Sequence, residues 1–581
     1  MRRTGGGTSV RPSVMLGALG VACLLACGES PDTGADVKPG AALPEEQDEG
    51  PVRLAYVCGN RFLLTNAYSV PIGVTYRVLG SEEDGAATLS AAPSLDPAVS
   101  ELMIETRTRG AVQLFLDGKP IASRPNEGTP CTPSGPTPAF LSAADASASG
   151  EWSVPFSWPV VAVHLSLRPN GTVLSWGDEG VPEIWDPASG AFTAVPSPAL
   201  LFCAGHAFDG EGRLVVAGGH ITNGHGLPNI TIFETSSTWS SSTPMLRGRW
   251  YPTSTTMSQG EIVIMAGKDQ DGLQVSVPEV WSAGGLRRLT GASRTFPYYP
   301  RAFLAPNGRL YYAGERQITR YLDITGAGSW SIGPRRLFGT RDYGAAVMYG
   351  EGRILYVGGG HTTNSAETVD LKAASPRWSW TGSMAYPRRH HNAVILPTGE
   401  VLVVGGVSGT GFNDILTAVH PAEVWNPATG VWTTLASNTI NRGYHTTAIL
   451  LPDARVLLTG SGDNATAAYE LNAELFSPPY LFNGPRPTIG SAPASVAYGG
   501  AFRVETADAP SISKVSLVRL GSTTHAFDMN QRFQTLGFSP DANGLSVKAP
   551  TDRNRTPPGH YMLFLVDGNG VPSVATILQV K

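Results

Sequence analysis

Charge is scarce in this chain: Asp, Glu, Lys and Arg make up 15% of it, against about 25% in an ordinary soluble domain. That shortage excludes a helix-rich protein with long helical linkers. Cysteine is scarcer still, five in 581 residues, so the chain is not a small disulfide-stapled scaffold. Glycine and proline are abundant instead, together 20% of the residues where about 12% is usual. Hydrophobic residues supply 41%, with 12 Trp, 18 Tyr and 19 Phe, which rules out a disordered low-complexity chain. A turn-rich, aromatic-rich chain poor in Lys and Glu reads as all-β. Its length suffices for roughly three to five domains of about 100–200 residues.

The N-terminus has the marks of an export signal. Arg2, Arg3 and Arg11 precede an apolar run from Val14 to Ala26, too short to span a bilayer and flanked as a secretory signal is. The run ends Leu24-Leu25-Ala26-Cys27 and resembles the lipobox of bacterial lipoproteins, which implies cleavage after residue 26 and acylation of Cys27. Residues 27–50 are then a lipidated, flexible tether dominated by Gly, Pro, Asp and Glu. With Gly28 after the acylated cysteine, the expected address is the bacterial outer membrane or cell surface, with release from the cell as a variant. Losing residues 1–26 removes three Arg and no acid, taking the net charge from −5 to −8, which argues against a nucleic-acid partner. A monomer is expected.

Cys58, Cys131 and Cys203 remain in an oxidising setting. Cys58 and Cys131 bracket strand-like runs at Arg61–Thr65, Gly73–Val78 and Ala111–Leu116, so residues 51–133 read as a small β domain closed by a Cys58–Cys131 disulfide. A linker, 134–159, follows. Cys203 is the odd one, and a buried inert thiol is the plain reading for it.

Between 160 and 475 a short apolar strand ending in Gly recurs, beginning at Thr172, Arg213, Glu261, Arg309, Arg353, Glu400 and Arg455. The seven copies are spaced about 47 residues apart, the period of a four-stranded blade of the kelch type. Downstream turns carry Trp185-Asp186-Pro187 and Trp425-Asn426-Pro427. Such repeats hide their apolar faces only against one another, so a closed seven-bladed β-propeller is expected. From 476 to 581 the pattern becomes short alternating strands (Phe502–Thr506, Lys514–Arg519, Tyr561–Val566, Ala575–Val580), as in an immunoglobulin-like β-sandwich.

A propeller by itself implies no chemistry. The segments just ahead of the repeat strands are the informative ones, since they aim at the central channel. They read Leu201-Phe202-Cys203-Ala204-Gly205, Arg249-Trp250-Tyr251-Pro252-Thr253 and Arg442-Gly443-Tyr444-His445-Thr446, and the C-terminal domain adds Thr524-His525-Ala526-Phe527. Together with the FSPPYL run from Phe476 and the closing PPGHYMLFLVDGNGVPS, these motifs resemble, in order and in register, the galactose oxidase and glyoxal oxidase family of copper radical oxidases. The likeness runs from about Val160 to the end.

The resemblance implies one copper ion held by Tyr251, His445 and His525 in its equatorial plane and by Tyr444 axially, with Tyr444 also the proton acceptor. It implies a thioether between Cys203 and Tyr251 that carries a tyrosyl radical. The donor set suits Cu(II), which favours tetragonal N,O ligation, and the radical supplies the second redox centre that a two-electron oxidation requires. The implied reaction takes a small primary alcohol or aldehyde and O2, and yields hydrogen peroxide.

The chain departs from the family where substrate is chosen. Galactose oxidase shields its thioether with a Trp after the third-blade Gly-Gly, and here that stretch reads Ala266-Gly267-Lys268-Asp269-Gln270-Asp271, with Asp269 nearest the position and no aromatic shield visible. The first blade is shortened around Asp178-Glu179-Gly180. Asp269, Arg301, His361 and Phe412 are candidates to line the substrate pocket. His390-His391 is read as structural, because neighbours on a strand face opposite ways, and His206, His220 and His225 receive no partner set. The competing expectation is a non-catalytic surface lipoprotein that keeps the fold and binds carbohydrate or matrix.

Overall fold

In the computed structural model the described residues are 52–58, 61–66, 71–89, 100–124 and 143–581. The signal, Cys27, the tether and Cys131 fall outside them, and with them the lipidation and the Cys58–Cys131 disulfide. Cys203 is free and buried. The chain is all-β: apart from one short helix, Ala143–Ser149, and a few single turns of 3-10 helix, every described element is a strand.

Each expected repeat strand is the second strand of an antiparallel sheet. They run Val173–Trp176, Leu214–Ala217, Ile262–Met265, Leu310–Tyr312, Arg353–Val357, Val401–Val404 and Val456–Gly460, and each is hydrogen-bonded between the first and third strands of its own meander. All but Arg353 at the edge of the fifth are buried. This is why they read as continuous apolar runs rather than alternating ones: both faces of each are covered by neighbouring sheets.

Two pairings depart from the expected boundaries. The fourth strand of the seventh sheet comes from the segment read as a linker: Glu151–Trp152 and Phe156–Ser157 pair with Asn472–Ser477. The inner strands of the first and seventh sheets, His164–Leu167 and Thr446–Leu450, are neighbours. The first sheet also gains strands from the C-terminal domain, for Ser522–Thr524 pairs antiparallel with His164–Leu167 and then with Phe527–Asp528. A loop of the last domain is thereby inserted along the inner edge of the first sheet, and His525 sits at its tip.

The remaining C-terminal strands form a five-stranded and a three-stranded sheet around a core that includes Val515, Leu517, Leu545, Val547, Leu563 and Leu565. Phe476 belongs to the last strand of the seventh sheet, so the change of architecture comes after Ser477. The N-terminal strands include Arg61–Asn66, Ile72–Val78 and Val112–Leu116, close to the three expected. They form two sheets with a core of their own.

Candidate metal and redox site

Four of the meanders share one device at the loop that enters the inner strand. An arginine four residues before that strand (Arg249, Arg341, Arg388, Arg442) is buried and paired to a glutamate on the third strand of the same sheet. The partners are Glu279 (2.9 Å), Glu367 (3.0 Å), Glu423 (2.5 Å) and Glu474 (3.2 Å). Each arginine also donates to a carbonyl at or just past the end of the second strand, of Ala266, Gly358, Gly405 and Gly460 respectively. The other carboxylate oxygen accepts the N–H of Leu246, Leu337, Ala385 or Thr439 in the incoming turn. A buried pair satisfied in this way fixes a conformation, whatever its net contribution to stability.

What the clamps hold is the residue two positions after each arginine: Tyr251, Tyr343, His390 and Tyr444. Tyr251, Tyr343 and His390 have positive φ (65°, 50° and 60°), as do His445 (69°), Cys203 (62°) and His525 (47°). Bulky residues avoid this region, and its clustering marks a site where the surroundings over-determine the backbone. Glycine serves the same purpose opposite: at Gly218, φ 87°, a Cβ would lie 2.1 Å from the Arg249 carbonyl oxygen. The site residues therefore lie in the loops leading into the inner strands and not on the strands themselves.

These loops bring together the five residues that carry the family resemblance. The Tyr251 and Tyr444 phenol oxygens are 2.6 Å apart, and His525 Nε2 is 3.1 Å from the Tyr251 oxygen. The His445 ring stacks on Tyr444 and meets the His525 ring edge-on, at centroid distances of 3.9 and 4.9 Å. Nδ1–H of His445 donates to the Gly462 carbonyl (2.9 Å), which leaves Nε2 as a bare acceptor, buried and without a partner. Nδ1 of His525 is engaged by Thr524 Oγ1 at 2.7 Å, so its Nε2 also faces inward. Such outer hydrogen bonds orient metal-binding imidazoles. Burial holds both phenols well above their ordinary pKa and the imidazole of His525 well below, a neutral donor set whose ionisation a bound cation would change. Two imidazole nitrogens and two phenol oxygens, one nitrogen an orphan, fit a copper ion. Among the described residues there is no group of three His, Cys, Asp or Glu that could hold a metal.

Cys203 lies in the same cluster as Tyr251, Trp250 and Phe202. Its carbonyl accepts the Tyr251 N–H at 2.9 Å. Burial pushes its thiol pKa well up, opposed by hydrogen bonding to Tyr251 and Trp250. Its own N–H donates to His164 Nε2 (3.1 Å), His164 Nδ1 then donates to His206 Nε2 (3.0 Å), and His206 Nδ1 donates to Ser522 Oγ (2.5 Å). This buried chain ties the cysteine loop to the C-terminal insertion and gives His206 the partners that sequence left unnamed.

The pocket candidates divide. A cavity of about 1420 Å³ adjoins the site and is lined by His525, Tyr298, Tyr343, Arg301 and His361 among others. Arg301 is there, but its guanidinium is engaged by the carbonyls of Tyr299, Gly344 and His525 (2.7–3.3 Å). It braces the His525 loop instead of orienting a substrate. Asp269 does not line the cavity, because its carboxylate accepts the N–H groups of Asp271 and Leu273 within its own turn. Phe412 is buried against Tyr444, ring centroids 4.8 Å apart, and supports the tyrosine without lining the cavity. Of the histidine pair, His390 packs beside Tyr444 and donates Nε2–H to the Phe412 carbonyl. The two histidines precede their strand, so strand alternation is not what separates them.

Sequence reasoning missed the aromatic cover. Trp250 lies flat on Tyr251, centroids 3.9 Å apart and planes 9° apart, and donates Nε1–H to His220 Nδ1 (3.2 Å). The signal was present one residue before Tyr251. Asp178, in the shortened first-sheet loop, accepts from the Tyr469 phenol and its charge reaches His220 and His445.

Known proteins resemble this chain over most of its length. Residues 360–480 match the family model described as glyoxal oxidase N-terminus, and residues 486–580 match that described as galactose oxidase-like, Early set domain. A galactose oxidase of Gibberella zeae is 29% identical over 497 residues, covering 74% of this chain and 70% of that protein. Aldehyde oxidase GLOX of Vitis pseudoreticulata is 30% identical over 378 residues, 57% of this chain and 72% of that one. A solved fungal alcohol oxidase in complex with copper superposes with a TM-score of 0.69 at 26% identity, covering 74% of this chain and all of that one. The fold and site define an oxidoreductase acting on CH–OH or aldehyde groups. The chain belongs to the galactose oxidase and glyoxal oxidase family.

Proposed function

We propose that this protein is a copper radical oxidase that converts a primary alcohol to an aldehyde, or an aldehyde further, while reducing O2 to hydrogen peroxide. The observation that carries the reading is the convergence of Tyr251, Tyr444, His445 and His525 on one point, with Nε2 of His445 unpartnered and the free thiol of Cys203 packed into the same cluster as Tyr251. Tyr251, His445, His525 and Tyr444 hold the metal. Copper held there would supply a one-electron couple and Lewis acidity towards the substrate hydroxyl. Tyr444 takes the hydroxyl proton at its phenol oxygen. Tyr251, as a radical, takes the hydrogen atom from the carbinol carbon. The proton and the hydrogen atom carry away two protons and one electron, the second electron would pass to the copper couple, and O2 would take up both electrons and both protons as hydrogen peroxide.

The radical rests on Tyr251 joined to Cys203. Forming that thioether makes one C–S bond and loses the thiol and one ring hydrogen, with O2 as the oxidant. Trp250 covers the Tyr251 ring that carries the sulfur and excludes water from it. We read the seven meanders as the blades of a closed propeller, with 151–157 completing the last, followed by the C-terminal sandwich that delivers His525. The mature chain is an exported, monomeric lipoprotein anchored through Cys27, with a separate N-terminal β domain closed by Cys58 and Cys131. A non-catalytic binding protein is disfavoured because every donor position is filled.

The test is the intact mass of the chain without its signal and tether, incubated with Cu(II) and air and then fully reduced. Reduction reopens disulfides and leaves a thioether. A mass lighter by two hydrogens, mapped to joined Cys203 and Tyr251 peptides, supports the reading. An unmodified mass with copper bound overturns it.

A further inference from the structure

The cavity beside the site is large, about 1420 Å³, where pockets for small ligands hold about 300–1,000 Å³. Its wall is continuous with the redox residues. Tyr298 lines it and meets Tyr251 edge-on, centroids 5.3 Å apart, and Tyr343 lines it and meets Tyr444 edge-on at 5.8 Å. A small alcohol does not need such a volume.

Its charge is one-sided. Arg294, Arg316 and Arg320 line it, as do Glu315 and Asp342. The acids have cations of their own: Asp342 accepts from Arg389 at 2.9 Å, and Glu315 lies 3.9 Å from Arg316. Arg294 and Arg320 have no carboxylate within ion-pair distance among the described residues, and the charge of Arg294 is felt at Arg320. Lys268, outside the cavity lining, lies over the Tyr298 ring, 5.8 Å from its centroid. Two like charges held in one partly covered cleft without a counter-ion repel each other, and an anion that bridges them relieves the repulsion.

We propose that the cavity takes a carboxylate-bearing carbohydrate. Arg294 and Arg320 hold a uronate carboxylate, and the aromatic wall carries a neighbouring sugar whose primary carbinol is presented at the His525 end. Guanidinium groups suit this because they pair bidentately with carboxylates. The inference rests on the oxidase reading for which carbon reacts. The carboxylate site stands without it.

The experiment is calorimetric binding to the full mature chain, metal-free and copper-loaded. The probes are a tetrasaccharide alternating glucuronate with N-acetylglucosamine, which keeps free primary carbinols, and the neutral N-acetylglucosamine tetramer. The acidic probe is expected to bind at least about ten-fold more tightly than the neutral one, and to weaken about ten-fold with each of Arg294→Gln and Arg320→Gln. It is also expected to weaken as salt rises past the range where the screening length is about 8–10 Å. Equal affinity for the two tetramers, or an affinity untouched by the double variant, overturns the proposal. Peroxide release is read separately: selective binding without peroxide from the acidic tetramer or any simple alcohol overturns the oxidase reading and leaves the carboxylate site standing.

Discussion

Trp250 and Tyr251 are consecutive residues whose rings nevertheless lie face to face, 3.9 Å between centroids. Neighbouring side chains in an extended segment diverge. The positive φ of Tyr251, 65°, folds the phenol back under the indole. The aromatic cover that sequence comparison sought after the third repeat strand is therefore supplied from the residue before the tyrosine.

Replacing Trp250 with Phe keeps an aromatic ring and limits the cavity cost, which for Trp→Ala is about 3–5 kcal/mol. The oxidised, radical-bearing form of Trp250→Phe is expected to decay several-fold faster than that of the parent, followed by its visible absorbance after oxidation. An unchanged lifetime would mean that the stacked indole is packing and nothing more.

Tyr444 is assigned the proton and Tyr251 the hydrogen atom, and the two are separable. Tyr444→Phe should lower kcat by about 10²–10⁴-fold, the range for a positioned general base, while the thioether still forms and the mass remains two hydrogens light. Tyr251→Phe should reduce turnover to background and leave the mass unshifted. A Tyr444→Phe enzyme with near-parental kcat would remove the phenol from the proton path.

Glu474 pairs with Arg442, whose loop carries Tyr444 and His445. Glu474→Gln leaves a buried guanidinium without its counter-charge, expected to cost about 3–5 kcal/mol. Its effect is also predicted to be local: copper affinity should fall while the thermal transition stays cooperative. Lost stability with unchanged copper affinity would show that the clamp holds the sheet and not the ligands.

Acid sensitivity follows from the buried histidine chain. Burial lowers His206 to about 3 and holds His164 well below its ordinary value. Both are neutral when folded, whereas unfolded histidine takes a proton near pH 6.5. Below that pH the unfolded state binds more protons, so each histidine's contribution to stability is complete above about 6.5 and is lost towards the folded value, at up to about 1.4 kcal/mol per pH unit. His206→Asn should flatten the fall in melting temperature between about pH 6.5 and 4 relative to the parent. Parallel curves for the two proteins would contradict a neutral, buried His206.

The repeat strands were legible because each is a short apolar run bounded by turn residues, a local pattern that survives without knowledge of the neighbours. Cys203, Tyr251, Tyr444 and His445 were legible because they sit ten or eleven residues ahead of a repeat strand in motifs that resemble the family's, whereas His525 lies outside the repeats and was legible only through that resemblance. Arg249 and Arg442 were visible in the same motifs, yet their buried glutamates, 30 and 32 residues on, became meaningful only when the sheets were paired. The pocket was legible least. Arg301 and Asp269 are charged residues near the right loops, and a sequence does not show whether a guanidinium faces a cavity or three backbone carbonyls.

The sequence by itself determined the class of elements and their period, since these follow from residue spacing and composition, and the candidate ligands came with the family resemblance of their motifs. Tertiary structure alone decided that Glu151–Trp152 completes the seventh sheet and that Ser522–Thr524 lies along the first. It also decided that Ser522 caps a hydrogen-bonded chain ending at Cys203. The two strand pairings and the His206–Ser522 bond join residues more than 300 positions apart, and their partners are chosen by which sheet edges and buried polar atoms are left to be satisfied once the meanders have packed.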